Sequence, residues 1–218
     1  MNRTLEHILP RVQKPARYTG GEYNAVVKDR RAVDVRYALC FPDTYEIGMS
    51  NLGVRILYGL MNEMDGVWCE RVFAPWGDME EEMRREGIPL YGLESGDSIA
   101  DFDLIGFSLG YEMAYTNVLN MLDLAGLPLR SGERTELSPI VVAGGTCAFN
   151  PEPLAPFVDL FVLGEGEDVS VEIIQLYRQA REEGWGKEEF LTAAARIPGV
   201  YVPSLYEVSY HGDGTVAA

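Results

Sequence analysis

The feature that most constrains this chain is the alternation of short apolar runs with segments of helical periodicity. Five runs are suited to buried strands, at 35–41, 67–74, 104–109, 139–143 and 159–163. Most are apolar on both alternating faces, as in parallel strands covered by helices on each side, whereas Glu70 and Arg71 place the second run at an edge. With right-handed crossovers, the sequence predicts an α/β fold, a flavodoxin-like, doubly wound parallel sheet of five strands in the order 2-1-3-4-5.

Capping and stop signals predict where the helices begin and end. Ser50 or Asn51 is suited to cap a helix that Gly66 stops. Asp78, with Glu81 three residues later, predicts a capping box at the start of a short acidic helix. Further helices are predicted over 111–125, 164–184 and 187–196.

Three parts are predicted along the chain: an arm over residues 1–34, the α/β domain over 35–185, and a C-terminal helix and linker over 186–218. Gly20-Gly21 indicates a short hairpin within the arm. The turn around Gly212 and Gly214 indicates a second hairpin, whose last strand has scarcely begun when the sequence stops. We therefore expect the chain to continue into a longer protein.

The acidic composition excludes several classes of partner. The chain carries 34 acidic and 18 basic residues, a formal net charge of −16. Such a charge repels nucleic-acid phosphates and anionic lipid headgroups, so direct nucleic-acid or membrane binding by this segment is not expected. The sequence has no apolar run long enough for a membrane span and no apolar signal core near its start, which predicts a cytoplasmic protein.

The cysteines and histidines give no sign of a catalytic or metal centre. Cys40, Cys69 and Cys147 lie far apart, without the CxxC spacing of a metal site, and are expected to be reduced core residues. His7 and His211 lie near the ends. The body of the domain therefore offers no histidine as a base or metal ligand.

Ligands of doubly wound sheets lie beyond the carboxyl ends of the strands, where strands one and three are neighbours. The loops there are 42–50 and 109–112, with Gly144-Gly145 beside them. No phosphate-loop motif is present, and the run from Gly164 to Asp168 lacks the third glycine of a dinucleotide turn and carries carboxylates that would repel a pyrophosphate. A flavin remains an alternative, by analogy of fold alone.

The first of these loops, Asp43-x-Tyr45-x-x-Gly48, resembles the D-x-H-x-x-G loop of cobalamin-binding domains, with tyrosine in place of the histidine that ligates cobalt. Ser108 and Gly144-Gly145 stand where that family has its serine motif and its paired glycines. The resemblance implies that these residues hold the displaced tail of cobalamin. The candidate cofactor-binding residues are Asp43, Tyr45, Glu46, Gly48, Ser50, Ser108, Gly110, Tyr111, Gly144, Gly145, Thr146, Gly164 and Gly166.

A wider pattern is similar to the N-terminal region of radical S-adenosylmethionine (radical SAM) proteins that contain a cobalamin-type domain. It comprises the segments 18–24, 41–53, 144–153 and 164–167 and extends over nearly all of residues 16–210. The resemblance implies an accessory domain without catalysis of its own. A barrel of the same chain would follow as its partner, and its CxxxCxxC motif, absent here, would hold a four-iron four-sulfur cluster and S-adenosylmethionine.

Each candidate residue also has a structural interpretation. Pro42 and Gly48 can simply shape a tight turn, and Tyr45 is a poor cobalt ligand because a phenol stays protonated at neutral pH. Glu165 and Glu167 can be helix N-terminal carboxylates favoured by the macrodipole. The competing hypothesis is therefore a degenerate domain that binds no cofactor and serves as a substrate-recognition or docking surface for the barrel.

Overall fold

The computed structural model describes residues 3–217 and contains a six-stranded sheet. Its strands are β1 (Val35–Phe41), β2 (Val67–Phe73), β3 (Leu104–Ser108), β4 (Ile140–Gly144), β5 (Leu160–Val162) and β6 (Val200–Tyr201). The sheet order is β2-β1-β3-β4-β5-β6, with the first five strands parallel and β6 antiparallel to β5. The predicted flavodoxin-like topology is confirmed. The strand count differs by one because β6 has only two residues.

Residues 3–217 contain seven α-helices, six of which pack on the two faces of this sheet. They are α1 (Arg3–Ile8), α2 (Tyr45–Ser50), α3 (Leu52–Glu63), α4 (Gly77–Glu86), α5 (Tyr115–Leu124), α6 (Gly166–Glu183) and α7 (Lys187–Ala194). Buried residues of α1, α4 and α5 pack on one face of the sheet, and those of α3, α6 and α7 pack on the other. The molecule is therefore a three-layer α/β/α domain.

Some helix signals were correct and others were not. Asn51 Oδ1 accepts a hydrogen bond from the Val54 amide (3.0 Å), so the predicted cap of α3 is confirmed. The capping box at Asp78 is wrong, because Trp76 precedes α4 as its cap residue and Asp78 accepts instead from the Gln13 amide (2.6 Å). The helix predicted from residue 111 begins as an α-helix only at Tyr115, after a short 3₁₀ turn.

The N-terminal arm packs along the edge strand β2, and its described residues form no hairpin around Gly20-Gly21. The Val26 carbonyl accepts from Trp68 Nε1 (2.9 Å), and its amide donates to the Tyr58 hydroxyl (2.7 Å). Lys28 Nζ donates to the carbonyls of Asn62 and Val67. The arm therefore covers an edge that would otherwise expose unpaired backbone groups.

Edge strand β2 is charged, as its sequence indicated, but its charges are buried. Glu70 is fully buried and lies in an ion pair with Arg36 of β1. Arg71 pairs with Glu94 (Nε to Oε1, 2.6 Å), which is also buried. The arm and the 88–98 loop keep both pairs from solvent. The charged residues Glu70 and Arg71 therefore predicted correctly that β2 lies at an edge of the sheet, but this edge is not exposed.

The C-terminal part packs on the same side of the sheet as α6. Phe190 and Leu191 of α7 are buried in that hydrophobic layer. Lys187 Nζ lies 2.7 Å from Asp159, a buried carboxylate at the start of β5. The predicted hairpin turn near Gly212 is present, closed by a bridge between Tyr210 and Val216. The division of the chain at residue 185 stays a prediction.

Candidate functional site

A cavity of about 170 Å³ opens at the carboxyl edge of the sheet, between the strands and helices α3 and α6. Strands β1, β3, β4 and β5 contribute its wall on the sheet side. Six glycines line it: Gly53, Gly106, Gly144, Gly145, Gly164 and Gly166. Because glycines have no side chains, a ligand there would approach the backbone closely.

The cavity exists because small residues repeat on one face of two central strands. Residues of one face alternate along a strand, so Leu104, Gly106 and Ser108 of β3 face the α3 and α6 layer. On β4 the same face carries Val142 and then Gly144. Near the amino ends of these strands, large side chains fill the space between the sheet and the helices. Toward the carboxyl ends small residues replace them, and the unfilled space is the cavity.

Tyr37 of β1 lies at the inner end of this cavity. The side chain leans across β3: a Cβ built on Gly106 would lie 1.9 Å from the Tyr37 hydroxyl oxygen. Tyr37 is only 5% exposed. Burial raises the pKa of its phenol well above the usual value, with smaller contributions from Cys69 and Cys40. The hydroxyl is therefore neutral at physiological pH and able to donate or accept a hydrogen bond.

Helix α6 lines the outer part of the cavity. Glu167 and Ser170 of its first turns contribute to the wall, as Ser108 of β3 does. Glu165 and Asp168 are exposed beside it. Carboxylates at a helix N-terminus are favoured by the macrodipole. These carboxylates also repel an anionic group at the cavity opening beside α6. The sequence predicted the same repulsion for a pyrophosphate.

The loop after β1 is helical and faces largely away from the cavity. Asp43 at its start accepts hydrogen bonds from the Tyr111 hydroxyl and from the Thr44 amide (2.6 Å). The bond from Tyr111 joins the loop after β1 to the loop after β3, and it is the main reason why the pKa of Tyr111 is raised. Ser50 donates to the Ile47 carbonyl (2.8 Å) within α2.

Tyr45 is held by the N-terminal arm. Its hydroxyl donates to Glu22 (3.0 Å), and its ring packs edge-on against Phe73 with centroids 5.4 Å apart. Burial and the Glu22 hydrogen bond raise the pKa of Tyr45. Gly48 lies under the same ring cluster, since a Cβ there would lie 2.3 Å from Phe73.

Glu46 is the other anchor of the arm on this loop. Its Oε1 lies 3.0 Å from Lys14 Nζ and 2.8 Å from Arg17 Nη2. Hydrogen bonds from Arg17 and then Lys14 lower the pKa of Glu46 to about 2. The carboxylate therefore ties the loop to the arm and does not line the cavity.

The structure divides the thirteen predicted site residues into three groups. Five line the cavity: Ser108, Gly144, Gly145, Gly164 and Gly166. Gly110 and Thr146 are exposed on the neighbouring loops. The remaining six, whose contacts lie elsewhere, are Asp43, Tyr45, Glu46, Gly48, Ser50 and Tyr111.

Sequence reasoning did not single out several residues of the cavity, namely Tyr37, Gly53, Gly106 and Ser170. Gly106 carried a usable signal, because a glycine inside an apolar strand often marks a close approach of other groups. A second cavity, of about 260 Å³, lies between the arm and the 88–98 loop. It shares no lining residue with the glycine-lined cavity.

Among residues 3–217 there is no cluster of three or more histidine, cysteine, aspartate or glutamate side chains arranged to hold a metal ion. No helix in that range has the length and apolar character needed to cross a membrane.

Fold and cavity together define a doubly wound α/β domain with a small glycine-lined cavity, or slot, at its carboxyl edge. The chain belongs to the family described as "Radical SAM proteins, N-terminal", whose pattern matches residues 53–203. It is 28% identical over 140 residues to an uncharacterized protein of Methanocaldococcus jannaschii, MJ0966. That match covers 63% of this chain and 26% of the relative. No solved structure has a significant match to the chain.

Proposed function

We propose that this chain is the accessory, cobalamin-binding part of a radical SAM protein and that the cavity receives the base at the end of the cobalamin tail. The observation that carries the proposal is the glycine-lined slot at the carboxyl edge, with Ser108 and Gly144-Gly145 in its wall. These are the positions at which the sequence resembles the tail-binding motifs of cobalamin domains. They lie together although they come from different strands.

The size of the slot fits a flat ring system. Pockets for whole ligands usually measure about 300–1,000 Å³, whereas a cavity of about 150 Å³ accepts a benzene ring. A volume of about 170 Å³ therefore suits one heteroaromatic group and not a complete cofactor. The rest of the cofactor would lie outside, over the carboxyl edge.

In this proposal the chain binds and orients the cofactor without ligating its metal. When bound, cobalamin supplies a redox-active cobalt suited to alkyl transfer. Gly144 and Gly145 leave room for the tail base, and Ser108 offers a hydroxyl at the outer part of the slot. Tyr45 stands at the position of the usual histidine, and the hydrogen bond of its hydroxyl to Glu22 supports a cofactor bound without a protein ligand to cobalt.

Catalysis is assigned to other parts of the parent protein. The cavity wall combines glycines and apolar side chains with Ser108, Ser170, Tyr37 and Glu167, which include no histidine, cysteine or lysine. The expected four-iron four-sulfur cluster and S-adenosylmethionine would belong to the barrel. The curated relative has ample length for one, since the match to this chain covers only 26% of it.

A second candidate function is a cofactor-free docking domain for the barrel. Exposed apolar side chains favour it, because several surround the same carboxyl edge: Ile47, Leu52, Tyr111, Met113 and Phe149. Occupation of the slot by Tyr45 or Met49 would have favoured it further, but neither residue lines the cavity. The structure supports a flavin less. The loop after β1 would have to bind the flavin phosphate, and the Thr44 amide of that loop already donates to Asp43.

The test is retention of hydroxocobalamin by the purified protein after desalting, read from the visible absorbance. We compare the unchanged protein with Gly144→Val, which adds a side chain to the cavity wall where a Cβ has only ordinary contacts, the nearest atom being 3.6 Å away. Gly59→Val in α3 is the matched control, since a Cβ there meets nothing within 4 Å.

Retention by the unchanged protein and the control, with loss in Gly144→Val, is the expected result. Equal retention by all three proteins would place the cofactor outside the slot and contradict the proposal. Absence of retention in the unchanged protein would contradict cobalamin binding and favour the docking function.

A further inference from the structure

The hydroxyl of Tyr37 has no hydrogen-bond partner within residues 3–217, although only 5% of the residue is exposed. The fully buried polar side-chain atoms without a partner in that range are all arginine nitrogens, so the Tyr37 hydroxyl oxygen keeps contact with the cavity space. Its ring lies across Gly106, and both residues line the cavity. An accessible hydroxyl at a cavity wall can bond to a ligand, and a ligand that covers it without such a bond leaves it buried and unpaired.

Strand register places this hydroxyl deep in the slot. Tyr37 is level with Leu104, and Leu39 is level with Gly106. Ser108 lies two residues nearer the carboxyl edge, about 7 Å along the strand. That depth matches the long dimension of a two-ring heteroaromatic base. A base that enters from the carboxyl edge would therefore bring its inner edge to Tyr37.

The lower bases of cobamides differ in chemistry at this inner edge. The dimethylbenzimidazole of cobalamin presents two methyl groups there, which would bury the Tyr37 hydroxyl without a partner. The six-membered ring of adenine presents ring nitrogens and an amino group. A neutral phenol can donate to the nitrogens or accept from the amino group.

We propose that Tyr37 selects the cobamide by its lower base and that the slot prefers an adenine-type base, with a hydrogen-bonding inner edge, over dimethylbenzimidazole. This inference rests on the proposed function, because it concerns the ligand of the same cavity. Selection of this kind is strong when a site is built to hydrogen-bond, since the wrong ligand leaves a buried polar group unpaired.

The experiment titrates the purified protein with two probes, hydroxocobalamin and the corresponding adenine-tailed cobamide, and measures binding by the change in visible absorbance. The unchanged protein is expected to bind the adenine-tailed form about tenfold more tightly, as one buried hydrogen bond allows. Tyr37→Phe keeps the ring over Gly106 and removes only the hydroxyl. It is expected to abolish or invert the preference.

Tyr91→Phe is the matched control. It also removes a tyrosine hydroxyl, a partly buried one that donates to the Tyr18 carbonyl (3.0 Å) outside the cavity. The control should retain the preference of the unchanged protein. Thermal unfolding verifies that both variants are folded, and the preference of the unchanged protein tests the inference without any variant.

The outcomes separate the two proposals. If neither probe binds, the proposed function fails and this inference fails with it. If both bind with equal affinity, or if Tyr37→Phe leaves a preference for adenine unchanged, cobamide binding stands and the role of Tyr37 is overturned.

Discussion

The Tyr45 hydroxyl donates a hydrogen bond to Glu22 Oε1 across 3.0 Å, and Glu22 Oε2 lies 3.3 Å from Arg71 Nη2. One carboxylate therefore connects the N-terminal arm, the loop after β1 and the edge strand β2. Arg71 has a second partner in the buried Glu94. Tyr45 thus stabilises the packing of the arm and lies outside the glycine-lined cavity.

Tyr45→Phe should lower stability without changing cofactor retention. The variant removes one partly buried hydrogen bond, which is worth about 0.5–1.5 kcal/mol of unfolding free energy. Denaturant unfolding measures the loss, and the desalting assay with hydroxocobalamin measures retention. A loss of retention in this variant, with stability unchanged, would show that Tyr45 contacts the ligand.

Attachment of the arm should weaken in acid through Glu46. Its folded pKa of about 2 lies below the usual 4.5, so its contribution is present above pH 4.5 and is lost as the pH falls toward 2. Limited proteolysis of the arm should therefore be faster in Glu46→Gln than in the unchanged protein at neutral pH, and the difference should shrink in acid. Glu63→Gln, at an exposed carboxylate ending α3, is the control and should behave like the unchanged protein at every pH.

Local signals predicted the parts of the fold that depend on local chemistry. Asn51 caps α3, and Gly184 ends α6 in the left-handed conformation (φ 71°), as the sequence indicated. Helix α2 was not predicted, because residues 45–50 have no capping side chain and too few apolar positions to show a period. The arm over β2 and the burial of Glu70 depend on contacts between distant segments, which no local pattern reports.

The residues of the candidate site likewise divide into those that the sequence could indicate and those that depend on contacts between strands. Topology placed Gly144 at the carboxyl edge, where parallel strands end together, and the resemblance to cobalamin-binding domains added Ser108; both residues line the cavity. Tyr37 could not be found, because its position in the cavity depends on a ring that crosses to Gly106 of the neighbouring strand. A tyrosine within an apolar strand is, by itself, an ordinary core residue.

Removal of Glu70 should be strongly destabilising. Its carboxylate pairs with Arg36, whose side chain is only 6% exposed, and also accepts from the Ser95 amide (2.8 Å). Glu70→Ala removes the fully buried partner and leaves the guanidinium with the partly exposed Asp97 (Nη1 to Oδ2, 2.9 Å). Breaking a buried pair typically costs about 3–5 kcal/mol of unfolding free energy. Chemical denaturation measures this cost. Glu80→Ala, in a surface pair with Arg84, should cost no more than about 0.5 kcal/mol. Equal losses would mean that the buried pair is solvated.

Gly106→Ala and Gly144→Ala add the same methyl group to the wall of the cavity and should have different effects. At Gly106 the new Cβ would lie 1.9 Å from the Tyr37 hydroxyl, so the ring must move and stability should fall by about 1–3 kcal/mol. At Gly144 the nearest atom, in Val162, is 3.6 Å away, and the change should stay within about 0.5 kcal/mol. Tyr37→Leu should recover part of the Gly106→Ala loss, because the two residues are in contact and their effects are not additive. Equal stability of the two alanine variants in urea would contradict the placement of Tyr37 over Gly106, and with it the depth assigned to its hydroxyl.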